Sequence, residues 1–178
     1  MIERLAANSA AAIKRRVPHH PASAAVMQYA LEVIYNALFI VTFSLLISLF
    51  TGKSQEVVAI LVAFAVLRQI TGGIHLKSSV SCVAASTIGC TLLSIVQLQS
   101  GILYLIGGLS LGLVLIFAPS RLDEQTRIPV RFYPVLKIIG AVVVIISVFI
   151  QWTPVSVSVF VQAMTLIKFT PKGGDHNE

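Results

Sequence analysis

Apolar residues in this chain gather into six runs separated by short polar passages, and that spacing predicts its elements. A bilayer core asks a helix for ~20 mostly apolar residues, and the first run, Met27–Phe50, meets that length. The second, Glu56–Ile70, has an apolar centre of only Val57–Leu67, short for a crossing unless Arg68 snorkels to the interface. The third covers Ser79–Leu98 and the fourth Ile102–Ala118, where Gly107, Gly108 and Gly112 are expected to permit close helix packing. The fifth, Leu136–Trp152, and the sixth, Val155–Ile167, are shorter and suit a tilted hairpin or partial insertion. The fold class expected is all-α: a polytopic membrane helical bundle of about six transmembrane segments, one membrane-embedded domain over residues 1–178.

The polar passages punctuate these runs. Thr51–Gln55 with Gly52, Gln99–Gly101 and Thr153-Pro154 read as turns, and the proline-bracketed, mixed-charge stretch Pro119–Arg131 reads as a loop. Within residues 1–17, Ile2, Leu5, Ala6, Ala10, Ile13 and Val17 recur at helical spacing. That segment is either a helix lying in the membrane interface, its basic residues near headgroups, or a frayed terminus. Pro18 and Pro21, flanking His19-His20, end it. Glu32 and Asn36 share a face early in the first run; a carboxylate inside a bilayer is costly, so Glu32 reads as an interfacial anchor or faces a neighbouring helix. The tail, 168–178, is polar and expected to be flexible.

Composition agrees with the periodicity. The chain is 56% hydrophobic and 11% charged, against ~25% charged residues in soluble domains. Its net charge of +6 would suit nucleic acid, but the basic residues stand at the ends of apolar runs, where membrane topology explains them. With six spans and a cytoplasmic N-terminus, the inner segments are 1–26, 68–78, 119–137 and 168–178, and they hold twelve of the thirteen Lys and Arg residues; only Lys53 falls outside. The positive-inside rule thus places both termini and residues 68–78 in the cytoplasm of a multi-pass cell-membrane protein. Only two cysteines occur, Cys82 and Cys90, and both precede or lie within an apolar run, which argues against a secreted disulfide framework.

One polar passage carries chemistry. Arg68-Gln69-Ile70-Thr71-Gly72-Gly73-Ile74-His75 leads through Leu76-Lys77-Ser78 to Cys82, forming a break between spans two and three. A cysteine and a histidine are the minimum for a thiolate nucleophile with its own base. Cys82 stands near a predicted helix start, whose exposed N–H groups favour an anion. On one continuous helix seven residues would separate the pair by ~10.5 Å, too far for a hydrogen bond. His75 must therefore sit on a non-helical segment, for which Gly72-Gly73 provides the backbone freedom. No nearby Asp or Asn stands ready to orient the histidine, which favours a dyad over a triad. A metal is disfavoured, because one Cys and one His leave two zinc ligands unfilled. The bland readings are an interfacial histidine and a small core cysteine, and Cys90 is read as the latter.

Arg68, Gly72-Gly73, His75 and Cys82, in the pattern Arg-x3-Gly-Gly-x-His-x6-Cys, resemble the signature of the accessory gene regulator protein B (AgrB) family. Ala118-Pro119-Ser120 and Ile128-Pro129-Val130-Arg131 resemble that family's later cytoplasmic loop, and the likeness covers nearly the whole chain. The resemblance implies an integral membrane cysteine endopeptidase that cleaves, and cyclises by thioester exchange, a quorum-sensing propeptide. It makes His75 the general base and Cys82 the nucleophile, with Arg68, Gly72 and Gly73 in support. It also implies a homodimer, no cofactor, and an AgrD-like precursor with an amphipathic N-terminal part and an acidic tail. Arg121, Arg127, Arg131 and Lys137 are candidates to hold that tail. Family members often carry a lysine cluster where Asp123-Glu124-Gln125-Thr126-Arg127 stands here, a difference that bears on which precursor is accepted.

Two other classes compete. A glycine-interrupted break is also a mark of transporter sites, although the halves show no inverted repeat and the chain is small. The third reading is a structural membrane assembly factor in which Cys82 is inert.

Overall fold

The computed structural model describes residues 1–19, 21–74, 78–120 and 129–167. Within them run seven α-helices: α1 (Ile2–Arg16), α2 (Ala24–Thr51), α3 (Ser54–Thr71), α4 (Ser79–Ile95), α5 (Ser100–Phe117), α6 (Tyr133–Ile150) and α7 (Thr153–Met164). A 3-10 turn, Val130–Phe132, leads into α6. Among the described residues there is no strand, only one isolated parallel bridge between Gly72 and Ser120. The all-helical class is as expected.

Local chemistry sets the helix ends. Ser23 caps α2 by accepting the Val26 N–H at 3.3 Å, which starts that helix three residues before the predicted Met27. Gly52 ends it in the left-handed region at φ 68°, its N–H donating to the Ser48 carbonyl. Pro134 lies in the first turn of α6, where a missing N–H costs nothing, so the fifth run begins its helix at Tyr133 instead of Leu136.

Four segments are long and apolar enough to cross a membrane: α2, α3, α5 and the 21 residues Val130–Ile150. The fifth run, expected to be short, is therefore full length. The second gains its length by continuing helical through Arg68 to Thr71. The six crossings expected from the sequence include two helices below that length, α4 with 17 residues and α7 with 12. Outward faces carry Ile34, Leu49, Leu105, Ile116 and Phe149, apolar side chains whose natural solvent is lipid. This is a membrane protein.

The chain's contacts gather into two units, with the boundary inside α3 after Leu61. The first contains α1, α2, the start of α3 and α4. Here α1 is a packed helix and not a frayed end: Ile2, Ala6 and Ala10 are buried, and the Ser9 and Tyr35 hydroxyls share a hydrogen bond of 2.9 Å. The face of α2 that is buried is polar and small, Asn36, Ser44 and Ser48, and α4 packs against α2 with its own stripe of Val83, Thr87, Cys90 and Ser94. Small side chains let helix backbones approach where no water drives them together. Cys90 is indeed a core residue; its thiol meets the buried Ser44 hydroxyl, which has no partner of ordinary hydrogen-bond geometry.

The second unit holds the rest of α3, with α5, α6 and α7 around a core of Leu67, Val114, Ala118, Val144, Val159, Ala163 and Leu166. Of the three glycines expected to permit close packing, only Gly107 does so, against Val148; around Gly108 and Gly112 there is open space. The second close approach is at Gly140, which the sequence did not flag. A Cβ there would meet Thr71 and Val114. Helix α7 is buried along most of its length, from Thr153 and Pro154 to Gln162 and Ala163. Before α5, the Leu98 N–H reaches Thr153 Oγ1 at 3.4 Å. Beyond α5, Ser120 and Thr165 meet on the same short passage, described next. Twelve helical residues thus reach both ends of an 18-residue neighbour.

Candidate functional site

Helix α3 ends where its apolar run gives way to two glycines with positive φ, 74° at Gly72 and 133° at Gly73, values that side chains resist. The Gly72 N–H closes the last turn on the Arg68 carbonyl at 2.9 Å. The Arg68 guanidinium then reaches forward to donate to the Ile74 carbonyl at 2.8 Å, and it lies 5.9 Å from the Phe64 ring centre. Arg68 was expected to snorkel; here it holds the peptide that joins Ile74 to His75.

Two distant segments complete this turn. The loop after α5, entered through the cis Ala118-Pro119 bond, brings buried Ser120 alongside: Ser120 N–H donates to the Thr71 carbonyl at 2.9 Å, and Gly73 N–H donates to the Ser120 carbonyl at 3.0 Å. From the end of α7, Gln162 Nε2 donates to the Gly72 carbonyl at 2.7 Å, and the Thr165 carbonyl accepts the Ile74 N–H at 3.1 Å. A Cβ on Gly73 would stand 2.6 Å from Thr165 Oγ1, so only glycine fits. The N–H groups of Gly72, Gly73 and Ile74 all donate to internal carbonyls and so are not available to a developing oxyanion.

Cys82 is the fourth residue of α4, a free and half-buried cysteine in the first unit. Its own N–H donates to the Ser78 carbonyl at 3.0 Å, and Ser78 caps the helix in an extended conformation without using its side chain. Cα–Cβ bonds on a helix tilt toward its N-terminus, so that of Cys82 tilts toward the first turn, where helix N–H groups have no partner within the helix. His75 lies outside the described residues, as do Arg121 and Arg127. Arg131 stacks 4.9 Å from the Phe132 ring centre, just before α6, and Lys137 follows on α6. Because Gly140 on α6 packs against Thr71, this basic start of α6 lies at the same end of the second unit as the glycine pair.

The sequence profile of Accessory gene regulator B matches residues 6–170. The chain belongs to the accessory gene regulator B family. A curated AgrB-like protein of Halalkalibacterium halodurans is similar to it, 29% identical over 115 residues that cover 65% of this chain and 58% of that relative. No solved structure matches. In this AgrB-family chain the structure brings together Arg68, Gly72 and Gly73 of the predicted set, and adds three residues the prediction lacked: Ser120, Gln162 and Thr165. Gln162 carried a readable signal, a lone amide within an apolar run, where a polar side chain is expensive unless it is used.

Proposed function

We propose that this chain is a membrane-embedded cysteine endopeptidase that cleaves a quorum-sensing propeptide, with Cys82 as nucleophile and His75 as general base. The observation that carries the reading is membership of the AgrB family over residues 6–170. The free, half-buried Cys82 in the first turns of α4 and the well-held turn that leads into His75 support it.

The reaction is acyl transfer. His75 takes the thiol proton as Cys82 Sγ attacks a peptide carbonyl of the precursor. The oxyanion needs N–H donors; with those of the glycine pair engaged, the first turn of α4 is the place for them. The peptide C–N bond then breaks, and the leaving amine carries off the proton with the C-terminal tail. The remaining acyl group is a thioester on Cys82. An internal Cys or Ser of the precursor captures it, closing a thiolactone or lactone and returning the thiol. Exchange of one thioester for another is nearly neutral, so this step asks chiefly for positioning and exclusion of water.

The substrate in this reading is an AgrD-like precursor with an acidic tail, met by Arg121, Arg127, Arg131 and Lys137, and the working unit is a homodimer. Six crossings place both termini and Cys82 on the cytoplasmic side, in keeping with the basic residues of the inner segments. Helix α7 counts as a crossing here: its ends meet both ends of α5, and a helix wrapped by protein need not match the hydrocarbon thickness.

The test is release of the tail from a precursor in proteoliposomes, with mass spectrometry to find the acyl group on Cys82. Wild type releases the tail, while Cys82→Ala and His75→Ala do not. Undiminished cleavage by Cys82→Ala would overturn the proposal.

A further inference from the structure

The bond from Gln162 Nε2 to the Gly72 carbonyl joins the last turn of α7 to the turn that leads into His75, ninety positions upstream. Gln162 is fully buried, and its Oε1 has no hydrogen-bond partner among the described residues. An amide with one end bonded and the other orphaned is a poor investment for stability alone. Leaving a buried acceptor unsatisfied costs ~1–3 kcal/mol, and a methionine of similar length would bury without that loss. What the amide does accomplish is geometric. It fixes the Gly72 carbonyl while Ser120 fixes the Gly73 N–H, Thr165 fixes the Ile74 N–H and Arg68 fixes the Ile74 carbonyl. Four backbone groups of the three residues Gly72–Ile74 are thereby held by three separate segments, and His75 is the next residue.

We propose that Gln162 is a positioning residue for the cleavage reaction, holding the Gly72–Ile74 turn from which His75 departs. The inference rests on the reading of His75 as base to Cys82. Arg68 is the charged group on this turn; α5 and α7 carry no Asp, Glu, Lys, Arg or His. Gln162 acts on the base through the backbone and not through charge. A displaced base weakens the transition state and leaves the precursor's binding contacts in place, so the effect falls on kcat. An ångström of misplacement costs on the order of 100-fold.

The experiment compares wild type, Gln162→Met and His75→Ala in proteoliposomes by two readouts. One is kcat and KM for tail release. The other is the pH dependence of Cys82 alkylation by iodoacetamide, in a Cys90→Ala background. For Gln162→Met we expect kcat lower by about tenfold or more, within that 100-fold range, with KM unchanged. Its alkylation profile should move toward that of His75→Ala. Gln162→Asn, which keeps the amide but is one methylene short of Gly72, should behave likewise and serves if Gln162→Met does not accumulate. A wild-type alkylation profile and kcat in both variants, alongside a shifted profile in His75→Ala, overturns the positioning role and leaves the dyad standing. A His75→Ala profile equal to wild type overturns the dyad itself.

Discussion

Gly140 sits so close to Thr71 that a Cβ built on it would stand 2.8 Å from Thr71 Cγ2. Thr71 is fully buried and β-branched, so its methyl cannot swing aside. Gly140→Ala should therefore lower stability by about 1–3 kcal/mol, as overpacking does, read as a lower thermal midpoint of the purified protein in detergent. Gly108→Ala and Gly112→Ala face open space and serve as controls. They should leave the midpoint unchanged or raise it, since alanine is favoured over glycine in a helix by roughly 0.5–1 kcal/mol. Equal loss at all three positions would show that helix backbone, and not the Thr71 contact, is being measured.

Cys90 is buried within the interface of α2 and α4, and Cys82 is half-buried near the start of the same helix. Cys90→Ala should leave precursor cleavage within about twofold of wild type, its loss of a small buried group falling on stability, ~1 kcal/mol at most for one sulfur-sized deletion. Cys82→Ala should abolish cleavage while accumulating normally in the membrane. If the two variants lose activity together, the sulfur that matters is not the one on the first turns of α4.

Single introduced cysteines in a background lacking Cys82 and Cys90 can report which side of the membrane each end faces. Arg16→Cys and Arg131→Cys should react with an impermeant maleimide only in inverted vesicles, and Lys53→Cys only in right-side-out ones. Reaction of Arg131→Cys from outside would reverse the orientation assigned to the basic end of the second unit.

The basic end of α6 offers a test of tail recognition. Charge pairs near solvent are worth ~1 kcal/mol or less each, so changing Arg121, Arg127, Arg131 or Lys137 singly to Gln should slow cleavage less than about fivefold. Arg131→Gln also forfeits its stacking on Phe132. The fourfold variant should cleave markedly more slowly and lose its dependence on ionic strength. Equal cleavage of acidic and amidated tails by wild type in low salt would show that capture is not electrostatic, with Asp123 and Glu124 among the reasons.

Local signals were the legible ones. The glycine at position 52 and the pair at 72 and 73 each carry a backbone preference that acts within a few residues, and each ends or breaks a helix; the proline at 134, which starts α6 three residues early, went unread. What was not legible depends on partners far away in sequence. Arg68 looked like a snorkelling cation because its acceptor, the Ile74 carbonyl, is a backbone group that no side-chain pattern advertises. Gly107 and Gly112 look alike in a row of apolar residues, yet only the first meets a neighbour. Gln162 was passed over because the apolar run around it set the assignment, whereas the costly exception was the informative residue. The Cys82 position at a helix start was readable from the polar break that precedes the third apolar run. Its relation to His75 was not, because no local pattern fixes how a passage that begins with two glycines folds.

The distance along the chain between Gly72 and Gln162 has a consequence for how the protein is made. A ribosome that has just delivered Gly72 must add ninety more residues before the amide that grips its carbonyl exists. Ser120 arrives midway, and Thr165 three residues after Gln162. Through most of translation the turn before His75 is open, and it closes only when the last described helix has entered the membrane. Assembly order itself thus leaves the passage that leads into His75 without its distant partners until Gln162 and Thr165 have been made.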